Sequence, residues 1–285
     1  MKKRIAIALC LALLLSMVPV LALPEVASAA PDTPAPLAAI TIKGGSAVAT
    51  GGDGYTYDAG TGTLTLTNFT DTTNGMEWND GYLNIVLEGE CVVPYIYGTG
   101  DSGVLSFSGD GSLTLSDGIM AEKDLIVDGP TISATRDDLD AIYLKGGLTL
   151  RSGNISGTTS VAGKAGIYME GKLVVEGGTI KGENTTTTSA NGTTGIDVLG
   201  GVEMTDGTLT GIASTASDGS FGLVSYGGIV IVGAAGKTPE AYLTGADAML
   251  AYDTDVTITG AEVTAKSGGR GNGIGAKTSQ SPIAR

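Results

Sequence analysis

The chain has 285 residues, with 16 basic and 30 acidic side chains and a net charge of −14. It contains no histidine, which excludes Ser-His-Asp and Cys-His catalysis and His-ligated zinc. The acidic balance argues against nucleic acid as a partner, because phosphates need Lys and Arg to neutralise them.

Lys2, Lys3 and Arg4 precede an apolar run from Ile5 to Leu23, and "PEVASAA" follows. A basic start, an apolar stretch and an Ala-x-Ala site predict a secretory signal peptide over 1–29, cut before Ala30. The competing reading is an uncleaved membrane anchor, which Pro19 and the Ala27-Ser28-Ala29 site disfavour. Cys10 lies inside the apolar run rather than after it, unlike a lipid-modified cysteine. Removal of 1–29 takes away Lys2, Lys3, Arg4 and Glu25 and leaves a net charge of −16. That suits a secreted, extracellular or wall-associated protein with no membrane insertion after cleavage. Only Cys91 then remains, so the mature monomer has no internal disulfide.

"PDTPAPLAA" (31–39) reads as part of a Pro-rich linker over 30–39. "AITIKGG" (39–45) and "GTLTLTNFT" (62–70) predict opening strands or a cap within 40–74. A repeating region is expected over 75–276. Its first copies are loose, in "GMEWNDGYLNIVLEGECVV" (75–93) and "GVLSFSGDGSLTLSDG" (103–118).

Four segments then align without gaps over 17 residues. They are "GIMAEKDLIVDGPTISA" (118–134), "AIYLKGGLTLRSGNISG" (141–157), "GIYMEGKLVVEGGTIKG" (166–182) and "GIDVLGGVEMTDGTLTG" (195–211). Looser copies start at Gly222, Ala248 and Gly273, and successive starts are 23–29 residues apart. The second column reads Ile119, Ile142, Ile167, Ile196, Leu223, Met249 and Ile274. The eighth begins Leu125, Leu148, Leu173 and Val202, and the tenth Val127, Leu150, Val175 and Met204. The fifteenth begins Ile132, Ile155, Ile180 and Leu209, with Leu243 and Val263 expected to continue it. Apolar residues two apart share one face of a strand, so each copy supplies three short strands separated by Gly corners.

Such columns predict an all-β chain, a right-handed single-stranded parallel β-helix (solenoid) of about 7–9 rungs of 23–29 residues. No tail shows a 3.6-residue apolar period, so a βαβ arrangement is not expected. "GIGAKTSQSPIAR" (273–285) starts another turn. A frayed or truncated tail over 277–285 is expected, with end-to-end contact at an uncapped last rung.

"YTYDAGTGTLTLTNFT" (55–70), "LNIVLEGE" (83–90) and "GGLTLRSGNISG" (146–157) resemble Gly/Thr-rich secreted repeat proteins of Gram-positive bacteria. The resemblance covers nearly all of 40–276 and implies the pectate-lyase-like right-handed β-helix. Many of these proteins carry the label "carbohydrate-binding domain-containing". It implies an adhesive or glycan-associated role at the cell surface. Lyases resembling this fold use Asp-bound calcium with an Arg or Lys base.

Candidate chemistry is therefore weighed in two places. "TRDDLDA" (135–141) supplies Arg136 with Asp137, Asp138 and Asp140, oxygens of the type that calcium prefers. The plainer reading is a solvated turn between rungs. On the outer face, Tyr143 and Tyr168 occupy column three, and Tyr226 and Tyr252 column five. Tyrosines on a flat sheet could form a strip for a linear glycan. The plainer reading is that they shield the sheet.

Columns five (Glu122, Lys145, Glu170) and eleven (Asp128, Arg151, Glu176) place a cation between two acids, which fixes register. Asn68, Asn154, Asn184 and Asn191 open N-x-Ser/Thr sequences, read as Thr-rich turns. The polar tails 182–195 and 211–222 read as connections that could also serve as binding loops. The expectation is a non-catalytic adhesion or carbohydrate-binding module whose partner is an extracellular or host polysaccharide, with no cofactor beyond a conceivable calcium. A polysaccharide lyase or glycoside hydrolase on the same scaffold, and a structural surface spacer, are the alternatives.

Overall fold

A computed structural model of the protein describes residues 51–187, 192–215, 219–252, 254–268 and 271–277. The predicted signal peptide, the predicted linker, the strand expected at 39–45, the Asn191 sequence and most of the predicted tail lie outside these residues. The described residues form strands and turns without a helix, wound into a parallel β-solenoid of about 8 turns.

The predicted columns are real ladders. Ile142 pairs in register with Ile119 on one side and Ile167 on the other. Leu148 pairs with Leu125 and Leu173, and Ile155 with Ile132 and Ile180. The in-register run continues through Ile196, Leu223, Met249 and Ile274. These side chains are fully buried as far as Met249, and together they form one continuous core. Burying one such side chain is worth about 1.5–3 kcal/mol, so a three-strand rung becomes stable only as part of the stack. Equivalent sites should respond equally. Ile142→Val, Ile167→Val and Ile196→Val are each expected to cost about 1 kcal/mol, measured by urea unfolding.

The first strands pair differently. Tyr55–Asp58 and Thr63–Thr67 form an antiparallel hairpin, tied at its turn by Asp58, which accepts from the Gly60 N–H at 2.8 Å. Thr63–Thr67 then pairs in parallel with Met76–Glu88. The hairpin thus covers an edge that would otherwise present unpaired backbone. Tyr57 and Phe69 anchor it, both buried.

Three sequence expectations need correction. Arg151 does not stack between Asp128 and Glu176. A bulge places Ser152 opposite Asp128, whose carboxylate accepts from the Ser152 hydroxyl at 2.7 Å, and Arg151 reaches Glu176 alone at 4.0 Å. Leu243 does not continue the fifteenth column. Ala241 pairs with Leu209 and Val263, and Leu243 falls opposite Gly211.

The third concerns glycine. Gly153 and Gly178 do sit at corners with positive φ, of 82° and 74°. Gly157, Gly166, Gly182 and Gly195 do not; they lie within or beside strands, with no left-handed φ. A Cβ on Gly157 would lie 2.2 Å from the Gly166 carbonyl oxygen, and one on Gly182 2.2 Å from that of Gly195. Along this seam two strands of the coil meet backbone to backbone, with no side-chain layer between them.

Candidate functional site

The outward side of the first strand of each rung carries the predicted tyrosines. Tyr143 and Tyr168 are paired in register, and their rings stack at 5.2 Å between centroids with planes 10° apart. Tyr226 and Tyr252 stack at 4.8 Å and 11°. Parallel rings this close cannot lie side by side in one plane, so each pair overlaps as an offset stack. One face of each ring is therefore covered by its partner. The structure brings the four residues to one sheet face, but as two pairs rather than a continuous strip.

The rung between the pairs carries Asp197 and Leu199. Asp197 stands in register between Tyr168 and Val224. Leu199 is 37% exposed and Tyr226 48% exposed. The Asp197 carboxylate is partly covered by its surroundings, and its buried Oδ1 has no hydrogen-bond partner. Burial pushes this carboxyl up to about 6, helped by the negative charge of Asp140. Tyr168 is pushed up to about 12, chiefly by burial and then by Glu170, Tyr143 and Asp197. Burial and the Asp197 charge also raise Tyr226.

The tyrosine hydroxyls differ in their partners. Tyr143 donates to Glu170 Oε1 at 3.1 Å, Tyr97 to the Asp117 carbonyl at 2.8 Å and Tyr95 to Glu77 Oε1 at 3.0 Å. Among the described residues, the Tyr168 and Tyr226 hydroxyls have no such partner. Sequence reasoning found the tyrosines and missed Asp197. The available signal was a lone acid in an outward column that holds no Lys or Arg, whereas in column five Lys145 lies 2.6 Å from Glu122.

The acidic turn after Arg136 sits beside the same face. It borders a hollow of about 320 Å³ lined by Met120, Glu122, Arg136, Leu139, Asp140, Tyr143, Lys145 and Lys164. The three aspartates are not brought to one point. Asp138 binds Arg136 Nε at 2.6 Å. Asp140 turns inward, accepts from the Ala165 N–H at 2.6 Å and lies 3.6 Å from Lys164. Asp137 lines a separate groove with Ser116, Thr135 and Thr158. Their oxygens therefore do not fit a single calcium ion, and no three acidic or thiol groups among the described residues form a metal-holding set.

Arg136 has a structural duty. It is only 10% exposed, lies 5.4 Å over the Tyr97 ring, and bridges Asp138 to Asp117 at 3.4 Å. Cys91 is buried, and burial raises its thiol, as expected of a core position. Asn184 is buried and donates to the Val161 and Lys164 carbonyls at 2.8 and 2.7 Å, so this sequon asparagine braces a bend.

No family model, curated protein or solved structure matches the chain.

Proposed function

We propose that the protein is a secreted, non-catalytic β-helix that binds carbohydrate on the outward face bearing Tyr143, Tyr168, Tyr226 and Tyr252. The supporting observation is the gathering on this face of two tyrosine stacks, the exposed Leu199 and an unpartnered carboxylate at Asp197. Aromatic surface combined with unpaired hydrogen-bonding groups suits a ligand that is apolar on its ring faces and polar at its rim. The sequence resemblance to secreted Gram-positive β-helix proteins points the same way, toward an extracellular or wall-associated role. The charged side chains bordering the adjacent hollow pair with acids or bases close by, as structural ion pairs do.

A glycan array probed with the protein lacking residues 1–29 tests this reading. Binding to at least one array member is expected. Tyr143→Ala with Tyr168→Ala, and Tyr226→Ala with Tyr252→Ala, should each weaken it about tenfold or more. No binding to any member, or binding indifferent to both double substitutions, refutes the proposal.

A further inference from the structure

The third column holds Tyr97, Met120, Tyr143 and Tyr168 in register on successive rungs. Tyr168 stacks on one side of Tyr143. The neighbour on the other side is Met120, which carries no ring, and there the surface falls into the hollow of about 320 Å³. Met120 and Tyr143 line this hollow and Tyr168 does not, so it lies at the uncovered end of the tyrosine pair. Arg136, held over the Tyr97 ring, lines it as well. Leu139 is 42% exposed, and the Lys145 and Lys164 side chains are 48% and 36% exposed, so the space is open to solvent. Its volume is at the lower end of small-molecule sites, which hold about 300–1,000 Å³.

The charges around the hollow are matched one to one. Lys145 Nζ lies 2.6 Å from Glu122 Oε2, Lys164 Nζ 3.6 Å from Asp140 Oδ2 and Arg136 Nε 2.6 Å from Asp138 Oδ1. No cation is left over for an anionic ligand to neutralise. Hydrogen-bonding capacity is left over. An ammonium has three donors and a carboxylate about four acceptor positions, so Lys145 and Glu122 satisfy only part of each other. Lys164 stands beyond hydrogen-bond length of its acid. An open hollow thus joins an aromatic and apolar wall to a rim of neighbouring donors and acceptors.

We propose that this hollow seats one neutral pyranose ring, packed against Tyr143 and Met120, with its hydroxyls bridging the Glu122–Lys145 pair and accepting from Lys164. This rests on the carbohydrate-binding reading above and names the ligand class and the subsite. A hydroxyl both donates and accepts, so it joins an acid–base pair without upsetting the match of charge. A uronate carboxylate can only accept, and it would lie beside Glu122 and Asp140 with no unpaired cation to meet it.

Titration of the protein with methyl glycosides of glucose, mannose, galactose, N-acetylglucosamine and glucuronic acid, followed by ligand-observed NMR, tests the subsite. At least one neutral glycoside is expected to bind, and the glucuronide more weakly. Tyr143→Ala, which removes the wall, and Leu139→Trp, which fills the hollow from its exposed rim, should each weaken binding about tenfold or more. Leu139 is exposed, so its variant is expected to melt with the parent protein, and it separates a blocked site from a damaged fold. Failure of every neutral glycoside, tighter binding of the glucuronide, or affinity unchanged in either variant overturns the subsite. Glycan-array binding undiminished in Leu139→Trp overturns the subsite and leaves the carbohydrate-binding function standing. Silence on the array overturns both.

Discussion

Gly182→Ala is expected to destabilise the protein by at least about 3 kcal/mol, although it adds only one methyl group. The added Cβ would lie 2.2 Å from the Gly195 carbonyl oxygen and 2.5 Å from Ile196 Cγ1. The first contact cannot be relieved by a side-chain rotation, because it is with backbone held in its ladder. Relief requires the two facing strands to separate, which loosens the ladders to the rungs on both sides. Gly157 and Gly211 meet their facing carbonyls at the same 2.2 Å, so alanine there should do the same. Gly236, which has nothing within 4 Å, is the contrast: its φ of 76° penalises alanine by strain alone, about 1 kcal/mol. Thermal unfolding of the four variants would show the order. Equal melting temperatures for Gly182→Ala and Gly236→Ala would contradict the backbone seam.

Asp197→Asn should do the opposite and raise stability. The folded-state carboxyl titrates at about 6, against 3.8 for the exposed group, so folding opposes its ionisation. The cost begins as pH rises past the unfolded value and is complete above about 6. About two units correspond to about 3 kcal/mol, an order-of-magnitude figure for a group that is mostly buried. The gain on substitution should be full at pH 7.5 and absent below about pH 4. Melting curves of both proteins at pH 3.5 and 7.5 test this, and a gain that is the same at both values would contradict it.

The solenoid was legible because its determinants are translational. Ile119, Ile142, Ile167 and Ile196 need only be aligned for their common direction to be clear, and each was found buried. What escaped depends on contacts that no alignment of copies contains. The glycine seam joins the third strand of one copy to the first strand of the next, as Gly157 meets Gly166. A turn explains a Gly more simply than a facing backbone does, so sequence alone favours the corner. The bulge at Ser152 changed one outward pairing while leaving Leu150 and Ile155 in their columns. Ala241 displaced Leu243 because Pro239 and the longer turn before it reset the register of that rung.

The tyrosines were legible as a set, but their stacking was not. Four residues in two columns suggested an open strip, and the overlap of the rings leaves free faces only at the ends of each pair. Nothing in the segment around Asp197 sets it apart. Its desolvation is a property of the assembled face, where it stands in register between Tyr168 and Val224 of the neighbouring rungs, rather than of the segment around it. The acidic turn was the converse case. Asp137, Asp138 and Asp140 are close in sequence, yet Arg136 and the Ala165 N–H draw two of them to different sides.

The ladders that join one rung to the next lie along the solenoid axis, and this bears on how the molecule would carry a mechanical load. A pull on its two ends, directed along that axis, strains the bonds of one terminal rung while the interior rungs stay matched on both sides. Rungs should then peel away singly. Each releases 23–29 residues, an extension on the order of 80–100 Å. Such a chain would lengthen in steps under tension and rewind as the force falls, because each returning rung finds a ready template in its neighbour.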